Sequence, residues 1–186
     1  MVTLMQLWLP IVLSAVFVFI ASSLLNMLLQ FWHRPDYHGF TNEEEVRAAL
    51  RKGMTEPGMY NVPFCTMEGM KTPEVQQKFV EGPLAMVALK PGAPMSMGAP
   101  LTQWFLFCLV ISFLCALLAA HTVAAGASSA RVFHVLALAG LLGHAAGPIP
   151  NAIWWSHTWR SSFKHVIDGL IYALIIGATF MWLWPA

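Results

Sequence analysis

The chain has 186 residues, of which 58% are apolar and 10% charged, and its formal net charge is +1. A soluble domain carries about a quarter charged residues, and a net charge so close to zero removes the electrostatic basis for binding nucleic acid or another acidic polymer. Seven of the ten Lys/Arg and eight of the nine Asp/Glu fall between residues 31 and 100. The remainder is nearly charge-free, which is the pattern of a polytopic membrane protein whose first partner is the lipid bilayer.

In chain order, the first apolar run covers residues 2–31 and is long enough to cross about 30 Å of hydrocarbon as a helix. Residues 1–8 contain no Lys or Arg, so the basic region of a cleaved secretory signal is missing. Ser22, Ser23, Asn26 and Gln30 share one side of this helix.

A polar region of 32–100 follows. Thr41-Asn-Glu-Glu matches a capping box and opens a helix to about residue 52, with Gly53 as the stop. Thr72-Pro-Glu repeats the start signal, and Gly82 ends the second helix. Residues 84–90 (LAMVALK) read as a strand, Pro91-Gly-Ala-Pro turns the chain, and Met95-Ser-Met returns as the partner of a small hairpin.

Three further apolar segments cover residues 101–125, 132–155 and 166–184. The third of the four spans contains Pro148 and Pro150, so it should kink or stop there. In span two, Cys108, Ser112, Cys115, Ala119 and Thr122 form a narrow stripe, and in span three Gly140, His144 and Gly147 align. In span four, Lys164, His165, Asp168, Tyr172 and Thr179 share a side. The expected fold class is therefore all-α integral membrane: four transmembrane helices, with a cytoplasmic insertion holding two short helices and a small β-hairpin. The divisions are 1–31 for the first span, 32–100 for the insertion and 101–186 for the remaining spans.

Arg160 and Lys164 lie between spans three and four, on the same side as the charged region, whereas the opposite side has Arg131 and the amino terminus. The positive-inside rule then puts the long region in the cytoplasm and both termini outside. Trp8, Trp154, Trp155, Trp159, Trp182 and Trp184 sit near span ends, as interfacial aromatics do.

A span opening at Val166 puts Asp168 in its first turn, where the carboxylate caps the helix or pairs with Lys164. The competing reading is ion or proton coupling. His144 is an ionisable group well inside span three, and as such is a functional candidate or a neutral, hydrogen-bonded packing residue. Taken together, Asn26, Gln30, His144, Asp168 and Tyr172 form a candidate polar conduit, against the plainer alternative of a bundle packed through small and hydroxyl side chains. Leu84, Met86, Val87, Met95 and Met97 form a candidate subunit contact, because a lone two-stranded hairpin is marginal and exposes both edges.

Three cysteines, one in the polar region and two in apolar runs, do not make a disulfide framework. Cys65-x-Met67-x-x-Met70 and Met95-x-Met97 are soft donors. The seven histidines, however, fall on different segments without tight spacing, so neither a metal nor a cofactor is expected. No nucleophile elbow, phosphate-cradling loop or zinc-protease motif occurs, and an enzyme is not expected.

Phe19-Ile-Ala-Ser-Ser-Leu-Leu-Asn-Met, Trp32-His-Arg-Pro-Asp-Tyr, Gly82-Pro-Leu-Ala-Met-Val and Asp168-Gly-Leu-Ile-Tyr-Ala-Leu resemble a bacterial family of small four-span inner-membrane proteins with no assigned activity. The resemblance covers most of the chain. It implies a bacterial inner-membrane location and supplies no catalytic residues. The leading expectation is a non-enzymatic, self-assembling scaffold or oligomeric pore. The alternatives are a small-solute or ion transporter using the polar helix faces, and a metal- or redox-linked subunit of a larger membrane complex.

Overall fold

The computed structural model of the chain describes residues 2–53 and 56–185. It forms two compact units: one of residues 1–37 and 96–186, the other of residues 38–95. The first unit thus claims residues 32–37 and 96–100 from the region expected to be insertion, because Trp32, His33 and Asp36 bond to side chains of the last long helix.

The helical unit contains α1 (Trp8–Ser23), which continues through a π-helical turn at Leu24–Leu28, and a short α2 (Gln30–His33). Then come α5 (Gly98–Thr122), α6 (Ser129–Ala145), α7 (Pro148–Trp154) and α8 (Trp159–Trp182). Among the described residues, four helical stretches are long and apolar enough to cross a membrane: Trp8–Leu28, Gly98–Thr122, Ser129–Trp154 and Trp159–Trp182. The third is interrupted between α6 and α7. Pro148 and Pro150 lack backbone donors, so the helix restarts with proline at its first position rather than running through.

The interior of this unit mixes small and polar residues with large apolar ones such as Leu7, Leu136, Ile176 and Phe180, and the outside is strongly apolar. Ser14, Ser112, Ser162, Cys108, Ala116 and Ala119 are buried, whereas Phe17, Ile20, Leu106, Phe113, Leu142, Leu170 and Leu174 are exposed. A water-soluble bundle shows the reverse. An apolar outer surface with small residues at the seams is consistent with a membrane protein, in which such residues permit close helix approach. The α6–α8 seam shows this directly. A Cβ added to Gly169 would lie 2.7 Å from Ala145 Cβ and 2.8 Å from its Cα. One added to Gly177 would lie 2.9 Å from Ala137 Cβ. Gly169, Ala173 and Gly177 recur every four residues, so they share one helix face.

The second unit contains α3 (Glu43–Gly53), α4 (Pro73–Glu81) and a two-stranded antiparallel sheet of β1 (Gly58–Val62) and β2 (Ala85–Leu89). Both helices begin and end close to the expected signals. The hairpin is corrected. β2 occupies the expected strand, but its partner is β1, with Tyr60 opposite Val87, and not residues 95–97. The stretch from Pro91 to Met97 carries two prolines in seven residues and forms no ladder. GMYNV has the β-branched and aromatic residues of a strand, but no alternation long enough to identify it from sequence.

Candidate functional site

The C-terminal ends of α1 and α6, the short α7 and the N-terminal halves of α5 and α8 line a partly open cavity of about 520 Å³. Asn26, His144, Asp168 and Tyr172 line it, together with Ser22, Trp104, Phe107 and His165. Four of the five candidate conduit residues therefore line one cavity. Gln30 is outside this lining. It faces a neighbouring, more open cavity beside His33 and accepts a hydrogen bond from Arg34 (3.0 Å).

Asp168 is not at a helix start. α8 begins at Trp159, seven residues before the expected opening, with Thr158 capping the Ser161 amide. Asp168 consequently sits in the third turn, where the terminal N–H groups are already paired. It is 3% exposed. Lys164 is not its partner either. The Lys164 ammonium donates to both Asp36 oxygens at 2.8 Å and to the Trp32 carbonyl. Asp168 instead accepts from two groups at the start of the polar region. Trp32 Nε1–H donates to its Oδ1 at 2.8 Å, and His33 Nε2 lies 2.6 Å from its Oδ2.

His165, one turn before Asp168, places Nδ1 3.8 Å from the same Oδ2. Its ring stacks on that of His33, with centroids 4.6 Å apart and planes inclined by 16°. His33 Nδ1 is buried with no hydrogen-bond partner among the described residues and lies 4.0 Å from Asp36 Oδ2. The Lys164 hydrogen bond holds the Asp36 carboxyl below its ordinary value of 3.8; burial opposes this shift, and the charge of Arg160 adds to it. Two carboxylates, two imidazoles and an ammonium thus form one hydrogen-bonded and ion-paired cluster. The sequence pattern had placed the histidines on separate segments; the fold brings two of them into contact.

On the far wall, His144 is enclosed edge-on by Phe107 (5.6 Å between centroids), Tyr172 (5.4 Å) and Trp104 (6.1 Å). Neither of its ring nitrogens has a hydrogen-bond partner among the described residues. Trp104 is held by a bond from its Nε1–H to Ser22 Oγ (2.7 Å). The polar side chains of α1 largely satisfy their own helix. Ser22 and Ser23 donate to the Phe19 carbonyl, and Asn26 donates to the Ser22 carbonyl. Such back-bonding lets hydroxyl and amide groups sit in an apolar segment without partners on other helices. The Cys108–Ser112–Cys115–Ala119 stripe is buried and forms part of the packing seam, away from the cavity lining.

Trp32, His33, Asp36 and Trp104 were not singled out by pattern. The available signal was the cluster of ring nitrogens and charge in Trp32-His-Arg-Pro-Asp, directly after an apolar segment. Of the candidate subunit-contact residues, Met97 lines the cavity, Leu84 and Met95 are exposed, and Met86 and Val87 are half-buried in β2. No protein-family model, curated protein or solved structure matches the chain.

Proposed function

We propose that the chain is an integral membrane protein of the bacterial inner membrane that takes a small solute or ion into its helical unit, as a transporter or channel rather than an enzyme. One observation carries the reading: a buried carboxylate, Asp168, forms part of the wall of a partly open cavity of about 520 Å³ in a unit whose outer surface is apolar. A charged group inside an apolar span is costly, and such groups mark ion and substrate paths. The Lys/Arg distribution supports a cytoplasmic location for residues 38–95 with both termini outside. The resemblance to small bacterial inner-membrane proteins supports the location.

The test is flux into sealed proteoliposomes, followed with pH- and cation-sensitive dyes and with labelled small solutes. Flux is expected in the native protein and should be lost in Asp168→Asn with assembly retained. Vesicles holding folded protein but passing none of these species would refute the proposal.

The self-assembling scaffold remains as a second reading on a separate observation. Among the described residues the two-stranded sheet has two unpaired edges, and Leu84 and Met95, at 59% and 99% exposure, lie in the same unit. Strand addition between copies would cover edges and apolar side chains together. Native mass spectrometry in mild detergent decides it: a defined oligomer that Leu84→Glu dissociates supports the reading, and a monodisperse monomer removes it.

A further inference from the structure

Three metal-capable side chains converge where the polar cluster meets the cavity. One ligand atom from each of His33, His165 and Asp168 lies within 4.8 Å of the other two. Two imidazole nitrogens and one carboxylate oxygen suit a borderline cation. They do not suit calcium or magnesium, which take all-oxygen sites, or monovalent copper, which takes thiolate or thioether. The surroundings have the parts that support metal ligands. Trp32 Nε1–H engages Asp168 Oδ1 and leaves Oδ2 facing the histidines. His33 Nδ1, buried and unpartnered among the described residues, faces the Asp36 carboxylate at 4.0 Å. A ligating histidine ordinarily presents its second nitrogen to a carboxylate in this way, and the ligating carboxylate is itself hydrogen-bonded.

We infer that His33, His165 and Asp168 form a binding site for one divalent first-row transition ion of the zinc class. The ion binds through His33 Nε2, His165 Nδ1 and Asp168 Oδ2. With His33 Nδ1 carrying its own hydrogen toward Asp36, the second hydrogen, held between His33 Nε2 and Asp168 Oδ2, leaves as a proton, so that His33 ligates as a neutral imidazole and Asp168 as a carboxylate.

The stacked rings define the movement required. Imidazole lone pairs lie in the ring planes, and two nearly parallel planes meet at no nearby point, so both rings cannot point at one ion while stacked. The ring that must turn is that of His165, whose side chain is 40% exposed, because His33 is 9% exposed and bonded to Asp168. His165 and Asp168 both line the cavity, so remaining coordination positions face open space. Three protein ligands with an open position distinguish a reacting or moving ion from a structural one.

The inference shares Asp168 with the transport reading but does not depend on flux. Full-length protein in mild detergent, stripped with a chelator, is titrated with Zn²⁺ by calorimetry and with Co²⁺ by visible absorption. The expected result is one ion per chain, d–d bands of a nitrogen/oxygen site, and proton release seen as a dependence of binding heat on buffer. His165→Gln, at the half-exposed ligand that should leave folding intact, is expected to weaken binding at least tenfold. His121→Gln, exposed near the C-terminal end of α5, is expected to leave it unchanged. Absence of saturable binding overturns the site, as does equal affinity in native protein and His165→Gln. A stoichiometric ion in a protein that passes no solute keeps the site and removes the transport reading. Transport by protein that binds no ion does the reverse.

Discussion

The bond between Trp32 and Asp168 allows a quantitative test of whether the carboxylate is anchored as the structure places it. Trp32→Phe keeps an aromatic ring but removes the five-membered ring with the N–H that donates to Asp168 Oδ1 at 2.8 Å, so the difference between its effects on two backgrounds isolates the hydrogen bond from lost packing. The acceptor is on a residue 3% exposed, so water cannot freely replace the donor. A hydrogen bond to a charged group contributes about 1.5–3 kcal/mol, and its loss should appear nearly in full. At about 2–4 °C per kcal/mol for a chain of this length, the melting temperature in detergent should fall by roughly 3–12 °C. Trp154, 75% exposed, supplies the control: Trp154→Phe should change it little. Repeating Trp32→Phe on Asp168→Asn converts the bond to a neutral one, worth about 0.5–1.5 kcal/mol, so the fall should be about half as large. Equal falls on both backgrounds, or a fall no larger than that of Trp154→Phe, would show that the indole does not hold the carboxylate.

Three further outcomes follow from other parts of the molecule. Gly169→Ala places a methyl 2.8 Å from Ala145 Cα and 2.9 Å from its backbone nitrogen, so α6 and α8 must separate. The overpacking cost of about 1–3 kcal/mol outweighs a helix-propensity gain of about 1 kcal/mol, and thermal unfolding should come earlier than in Gly39→Ala, where the added methyl meets open space. Asp36 has a depressed folded value, so the stability from its pairing with Lys164 is complete above the ordinary value of 3.8 and is lost as pH falls through the lower folded value. An acid melting series on native protein and Asp36→Asn should converge below that range and differ above it; parallel curves would contradict the pairing. Cys65, a free thiol in the polar region, should react with a membrane-impermeant maleimide only after the cells are opened, and labelling of intact spheroplasts would reverse the orientation.

Composition alone determined that four long apolar helices would form and where charge would collect, because length and hydropathy set what a segment can span irrespective of its neighbours. The prolines at 148 and 150 interrupt the third span because a missing backbone donor acts within one turn, and α3 and α4 start close to the signals at Thr41 and Thr72, α4 with Pro73 at its first position and with the Thr72 hydroxyl donating back to the Gly69 carbonyl rather than capping the helix. What pattern could not provide was partnership. The pairing of β1 with β2 joins strands separated by α4, and a pleated run of five residues carries no mark of its mate. Asp168 belongs with Trp32 and His33, more than 130 residues away, and Lys164 with Asp36 rather than with the carboxylate one turn along its own helix. Helical periodicity states which side chains share a face, as it did for His165 and Asp168. Which residues meet that face depends on how the helices pack, here through the close contact of Gly169 and Gly177 with α6, and that is decided only when the whole chain has folded.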